Sequence, residues 1–275
     1  MMRGPGQYAM AVRQPDGEIK LEVTPLSANR AWYARCPLVR GIYNFVSSIV
    51  LGYKCLTRSA EISGQDDGEE IDMGAVGAVS AALAVLLCLA LFMALPTVIV
   101  GFVGRAVPLG RGAAVLESLI KVGIFVLYMV LISRMKEIQR VFMCHGAEHK
   151  SIACYEHQKP LTVENVRTFS RFHPRCGTSF LLIVLVVSIV LSLFLSWENL
   201  ALRVLGRILM LPLVMGISYE ILRFAGRHDN VLTRIISAPG MWLQHLTVAE
   251  PEDGMIECAI AALKAVIPKD GSDKW

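Results

Sequence analysis

The chain has 275 residues, a mean hydropathy of +0.52 and only 18% charged side chains, against about a quarter in an ordinary water-soluble domain. Its formal net charge is only +4, and no basic stretch is interleaved with aromatics, so the composition argues against a nucleic-acid partner. The seven cysteines are odd in number and scattered, and call for no disulfide framework.

In chain order, MMRGPGQYAMAVRQPDGEIKL lacks the continuous apolar stretch of a signal peptide. Within an N-terminal region 1–30, YAMAVR and EIKLEV alternate about Pro-Asp-Gly, which predicts a β-hairpin from Tyr8 to Thr24. Region 31–60 contains AWYARCPLVRGIYNFVSSIVLGYKCLTRS. It predicts a short amphipathic or re-entrant segment, lying at a membrane interface or entering it partway. The acidic EISGQDDGEEID, 61–72, predicts an exposed linker.

A bilayer-spanning helix needs roughly 20 apolar residues. From Met73 to Gly104 there are 32 consecutive residues without a formal charge, and from Cys176 to Trp197 there are 22. Each run predicts a span. Gly112 to Ser133 is interrupted only by Glu117 and Lys121, both in its first half. NLALRVLGRILMLPLVMGISYEIL carries Arg203 and Arg207 near its start and Glu220 near its end. Charges near helix ends can reach the interface, so these segments predict two more spans. The expected fold is a mainly α-helical polytopic membrane protein. It has about four transmembrane helices, paired as 73–133 and 176–222, a small N-terminal hairpin and cytoplasmic helices.

The intervening region 134–175 holds Arg134, Lys136, Arg140, Lys150, Lys159, Arg167, Arg171 and Arg175. The positive-inside rule makes it cytoplasmic. With two spans on each side, both termini are expected there too. Region 223–275 predicts a cytoplasmic helical tail, in which EPEDGMIECAIAALKAVIP places Ile256, Ile260, Leu263 and Ile267 on one helical face. PLVRG at 37–41 recurs as PLGRG at 108–112, with Ser47 matching Ser118 and Gly52 matching Gly123. This echo is either a duplicated membrane element packing through small residues or a chance likeness of apolar helices.

The densest chemistry lies in CHGAEHKSIACYEH and RFHPRCGTSF. His145 and His149 are i and i+4, so a helix presents both imidazoles on one face, as a divalent metal requires. H-x-x-E-H is also the inverted zinc-peptidase spacing, with Glu148 as candidate general base. Gly146 and Ala147 permit close approach of another segment. His173 and Cys176 stand just before the third expected span and are further candidate ligands; imidazole plus thiolate suits Zn²⁺ or another divalent transition metal. Cys144 or Cys154 offers an additional sulfur. Lys150 and Glu220 are candidates for support around the ligands, and Arg171 and Arg175 for contact with an anion or lipid headgroup. The competing reading is a hydrogen-bonded histidine cluster beside a free thiol, with arginines placed by topology alone.

Together RVFMCHGAEHKSI, FHPRCGTSFL, GISYEILR and APGMWLQHLTVAEP resemble the YqhQ-like family of bacterial integral membrane proteins, over essentially the whole chain. That resemblance implies a multi-pass protein of a bacterial cell membrane in a family often described as predicted metal-dependent enzymes. The family's HGAEHK motif maps to His145, Glu148, His149 and Lys150, and its FHPRCGTSF motif to Phe172 through Phe180. Such sequences usually begin GGQAVMEGVMMRGP, so a lead-in ahead of MMRGP is expected. Three functional readings follow. The first is a metal-dependent hydrolase at the cytoplasmic face acting on a membrane-associated substrate. The second is a non-enzymatic membrane factor whose loop and tail bind a protein partner or a second copy. The third is a transporter component. Membrane lipid is the partner common to all of them.

Overall fold

The computed structural model describes residues 1–26, 36–64, 73–107, 112–174, 176–192, 200–228 and 230–268. The predicted hairpin is present and gains a third strand. β1 (Met2–Arg3), β2 (Gln7–Arg13) and β3 (Ile19–Pro25) form an antiparallel sheet in that order, with Arg13 opposite Ile19. Gly17 takes φ 88° in the connecting turn, a conformation that costs glycine least. The two-residue alternation of β2 serves two cores at once. Ala9 and Ala11 face one apolar cluster, while Met10 and Val12 face another with Cys55 and Ile62.

Those last two residues belong to α1 (Val39–Ile62), which runs through the amphipathic region and past its expected end. The N-terminal half of α1 crosses α8 (Leu200–Arg227) closely. A Cβ on Gly41 would lie 2.7 Å from Tyr219 Cβ, and one on Gly216 2.8 Å from Leu38 Cβ. The echo position Gly112 meets open space instead. The two copies of the echo therefore pack differently at this glycine, whereas Gly52 and Gly123 both meet open space; residues 108–111 lie outside the described residues.

Region 134–175 contains the helix on which the His145 and His149 spacing depends. It forms α5 (Lys136–Glu156) and the short α6 (Val163–Arg167). Near the C-terminus, α10 (Asp253–Val266) buries Ile256, Ala259, Ile260 and Leu263, the i, i+3, i+4, i+7 stripe of an amphipathic helix. Packed together, α10, α5, α6 and the sheet enclose the cluster that includes Ala147, Cys154 and Val166.

The remaining helices are apolar. α2 (Met73–Leu89) passes through a π-helical turn (Ala90–Ala94) into α3 (Leu95–Ala106), followed by α4 (Gly112–Ile132), α7 (Thr178–Ser192) and α8. Among the described residues, three stretches are long and apolar enough to cross a membrane: Val79–Ala106, Gly112–Ile132 and Leu205–Gly226. The expected count was about four. The described part of α7 has 15 residues, about 22 Å of helix, and residues 193–199 lie outside the described set. Leu83, Phe102, Leu119 and Leu209 are each more than 60% exposed. Large apolar side chains left this exposed along several helices are unusual for a protein bathed in water.

Glu117, Lys121 and Arg207 do not reach outward, contrary to the sequence expectation. Glu117 and Lys121 of α4 and Arg207 of α8 are 3%, 5% and 8% exposed, with Thr97 of α3 buried beside them. Arg207 donates through both terminal nitrogens to the Glu117 carboxylate, Nη2 at 2.8 Å to Oε2. Thr97 Oγ1 donates to Oε1 at 2.9 Å, and Lys121 Nζ lies 3.5 Å from that same oxygen. Mutual pairing satisfies these charges where snorkelling would expose them to water.

The expected tail also divides. Its first part is α9 (Val231–Thr247), capped by a reciprocal Asn230–Thr233 pair and packed against α7, α8 and α4. Gly240 permits the α7 contact: a Cβ there would lie 2.8 Å from Ser179 Cα. Only α10 joins the sheet.

Candidate metal centre

The i, i+4 spacing on α5 places the rings of His145 and His149 with centroids 4.3 Å apart. Cys176, in the turn before α7, reaches them from the other side, with Sγ 3.3 Å from His145 Nε2. One donor atom from each of His145, His149 and Cys176 lies within 4.8 Å of the other two. Imidazole nitrogen and thiolate sulfur are donor types that could hold a divalent ion of tetrahedral preference such as zinc.

Backbone carbonyls settle which ring nitrogens are available. His145 Nδ1 donates to the Thr247 carbonyl at 3.2 Å, and His149 Nδ1 donates to the Arg171 carbonyl at 2.6 Å. A carbonyl only accepts, so both Nδ1 atoms carry hydrogen and both Nε2 atoms remain for a ligand. This outer support fixes ring orientation in metal sites generally.

The thiol is held in its anionic form. Burial pushes Cys176 up, but hydrogen bonds and charge from His145 and His149 outweigh it, bringing the thiol down to about 5. Thr178 N–H also points to Sγ at 3.4 Å, adding the positive end of α7. His145 moves oppositely: burial lowers it, but the Cys176 partner and the Glu148 charge raise it above its ordinary value. Without metal, Nε2–H of His145 therefore donates to a thiolate.

A stability consequence follows for chelator-treated protein. The folded thiol value lies below the unfolded value of 9.0, so its contribution is full above 9.0 and disappears as pH falls through about 5. His145 contributes fully below 6.5 and loses its contribution as pH rises through its raised folded value. Below 6.5 the thiol alone changes. Wild-type protein is expected to lose stability relative to His145→Gln/Cys176→Ser, which removes both titrating partners, between pH 6.5 and pH 5, read from denaturant unfolding at each pH. A constant difference between the two proteins would contradict the ion pair.

The close approach foreseen at Gly146 and Ala147 is present. A Cβ on Gly146 would collide with the Ala249 carbonyl oxygen, and Ala249 N–H donates to the Phe142 carbonyl at 3.0 Å. The chain leaving α9 therefore crosses α5 next to His145 and delivers the Thr247 carbonyl. Gly146→Ala is expected to cost about 1–3 kcal/mol by overpacking and to weaken metal binding as well, checked by thermal unfolding and metal titration. Unchanged values for both would show that the crossing tolerates a methyl group.

His173 stands beside the trio, outside it. Its ring is 5.7 Å from that of His149, and Nε2 lies 3.3 Å from Glu156 Oε2. Its backbone is clamped by buried Gln244 of α9: His173 N–H donates to Oε1 at 2.9 Å and Gln244 Nε2 donates to the His173 carbonyl at 2.8 Å. Glu148 is half-buried, with Oε1 2.7 Å from the Met1 nitrogen. Lys150 is buried and binds the Arg167 carbonyl at 3.1 Å and Glu250 at 2.7 Å. Arg171 stacks on Phe172 and lies 3.7 Å from Glu250, while Arg175 lies outside the described residues.

Glu220 does not join the site, because Arg40 of α1 holds its carboxylate, with Nε at 2.7 Å from Oε1. Neither Cys144 nor Cys154 belongs to the donor group. Cys154 instead faces the carbonyls of Lys159 and Pro160. Thr247 and Gln244 were not singled out from the sequence; their only signal was the apolar segment APGMWLQHLT.

A mainly helical protein with apolar helices of membrane-crossing length and a largely buried His-His-Cys group is the class that the fold and site define. The chain belongs to the family described as "Protein of unknown function (DUF1385)", which matches residues 36–269. It is also 34% identical over 282 aligned positions to the "Uncharacterized protein YqhQ" of Bacillus subtilis (strain 168), covering 97% of this chain and 89% of that relative. No solved structure matches it.

Proposed function

We propose that the protein is a metal-dependent hydrolase of the cell membrane, with its site at the cytoplasmic face and zinc as the favoured ion. The observation carrying this reading is the convergence of His145 Nε2, His149 Nε2 and Cys176 Sγ, with both Nδ1 atoms committed to backbone carbonyls. Three protein ligands are the usual complement of a catalytic zinc, whereas structural sites use four.

When bound, such an ion supplies Lewis acidity and lowers the pKa of a coordinated water toward neutrality. The residues of the chain do the positioning. His145, His149 and Cys176 hold the ion, and the Thr247 and Arg171 carbonyls keep the imidazoles aimed. Glu148 is the proton acceptor in this reading. It neighbours His149 in the chain, and its charge is already felt at His145. The basic residues of α5 and α6 support the cytoplasmic assignment through the positive-inside rule.

The test is elemental analysis of detergent-purified protein, wild type beside His145→Ala/His149→Ala. Near-stoichiometric transition metal lost in the double variant supports the site. Its absence from folded wild type after metal reconstitution sinks the reading. Glu148→Gln then separates chemistry from binding: it should retain the metal while losing turnover of ester, phosphodiester or peptide substrates. Equal turnover would remove Glu148 from the mechanism.

A further inference from the structure

The patterning of α9 is inside out for a helix in water. At 100° per residue, Thr233, Gly240, Leu243, Gln244 and Thr247 fall on one side, and all are buried. Three of those five side chains are polar. The opposite side carries Val231, Ile235 and Trp242, which fall within about 40° of one another and are 73%, 64% and 58% exposed. Ala238 and Pro239 continue that exposed side. A surface helix normally turns its apolar stripe to the core and its polar face to solvent. Exposed Arg234 and His245 flank the stripe along one edge, and partly buried Ile236 lies among the covered residues, but the centre of the uncovered side is apolar, the reverse of that pattern.

Its neighbours indicate what covers it. The buried face lies across two of the apolar helices, Gly240 on Ser179 at the start of α7 and Leu243 in a cluster with Phe125 and Met129 near the end of α4. The helices on which α9 packs themselves leave apolar side chains uncovered, including Leu181 of α7 and Leu127 and Leu131 of α4. We infer that α9 lies in the plane of the bilayer surface, with Val231, Ile235 and Trp242 seated in the leaflet that faces the sheet-containing module.

Two features place the helix at headgroup depth and not deep in hydrocarbon. Trp242 is the residue type enriched at membrane interfaces. Pro239 has no N–H to give to the Ile235 carbonyl, which leaves an acceptor that hydrocarbon cannot satisfy but interfacial water can.

The location bears on chemistry. The other face of α9 supplies Gln244 to the His173 backbone, and its last residue, Thr247, supplies the carbonyl that aims His145. One helix diameter, about 10 Å, therefore separates the lipid-facing stripe from the residues that support the donor trio. If the proposed hydrolase reading holds, lipid headgroups are the substrate class brought to it by diffusion in the leaflet.

The test is depth-resolved fluorescence quenching in vesicles of phosphatidylcholine and phosphatidylglycerol. The full chain keeps Trp242 as its sole tryptophan, with Trp32, Trp197 and Trp275 changed to Phe. Lipids brominated near the glycerol end of the acyl chain are expected to quench Trp242 more than lipids brominated at the chain terminus, and aqueous iodide only weakly. Strong iodide quenching, with little from bromine, would overturn the proposal in favour of a solvated or protein-covered face. Strongest quenching from the chain terminus would overturn it in favour of a helix inserted across the leaflet. A second probe, Ile235→Trp in a Trp242→Phe background, guards against a local effect of one side chain. Repeating the measurement in His145→Ala/His149→Ala keeps the result independent of whether metal binds.

Discussion

Cys176→Ser protein is expected to bind zinc more than about 100-fold more weakly than wild type, a larger loss than the 10–100-fold typical of altering a supporting residue. The thiol is the one donor of the trio that does not come from α5. Without it the ion keeps two imidazoles on one helix face, a pair that any exposed i, i+4 arrangement could offer. The existing site also pays little to ionise its sulfur, because His145, His149 and the start of α7 already hold Cys176 as a thiolate near neutral pH. Serine has no accessible anion to replace it. Chelator competition on detergent-purified protein would measure the difference. Cys144→Ser is the matched control: it adjoins His145 in sequence but lies outside the donor group. Equal affinities for wild type and Cys176→Ser would show that metal, if bound, is held elsewhere.

Glu117→Gln should be the most destabilising single change among the apolar helices, costing about 3–5 kcal/mol. The carboxylate accepts from Arg207 and Thr97 and neighbours Lys121, all buried. The amide keeps the shape but removes the only negative charge facing these two cations among the described residues. It also turns an acceptor into a donor opposite Arg207. An uncompensated buried charge is the expensive outcome, whereas replacing a whole ionic group by apolar residues of similar volume is often nearly neutral. Glu117→Leu/Lys121→Met/Arg207→Met should therefore recover most of the lost stability. Unfolding of the purified proteins in a fixed detergent would test both. If the single variant unfolds like wild type, the cluster does not hold α3, α4 and α8 together.

Much of the architecture was readable from periodicity. The Pro-Asp-Gly turn between alternating segments announced β2 and β3, and the 3.6-residue stripe of Ile256, Ile260 and Leu263 announced α10. Both patterns are local, because each element repeats its burial at its own geometric period. Other expectations failed where local information ends. Glu117 and Arg207 are 90 residues apart, and nothing near either one says that it will find the other. Each was therefore read as a charge seeking the interface. Glu220 likewise looked available to a metal site, but its partner Arg40 lies 180 residues away.

The candidate site divides along the same line. His145 and His149 were a pair in the sequence because four residues return a helix to the same face, and a stretch lacking Pro from Lys136 to Glu156 makes that helix. The residue types at His173 and Cys176 made both of them candidate ligands equally. Tertiary structure separated them: Gln244 clamps the His173 backbone while Glu156 faces its ring, and Cys176 turns toward His145. The same folding brought the Thr247 carbonyl over Gly146 to select one tautomer of His145. Helical spacing and apolar length are properties of a continuous segment, so the amino-acid order was enough to establish them. Which donors converge, and which ring nitrogen is free, depends on how α5, α9 and the start of α7 cross, and only the packed chain decides that.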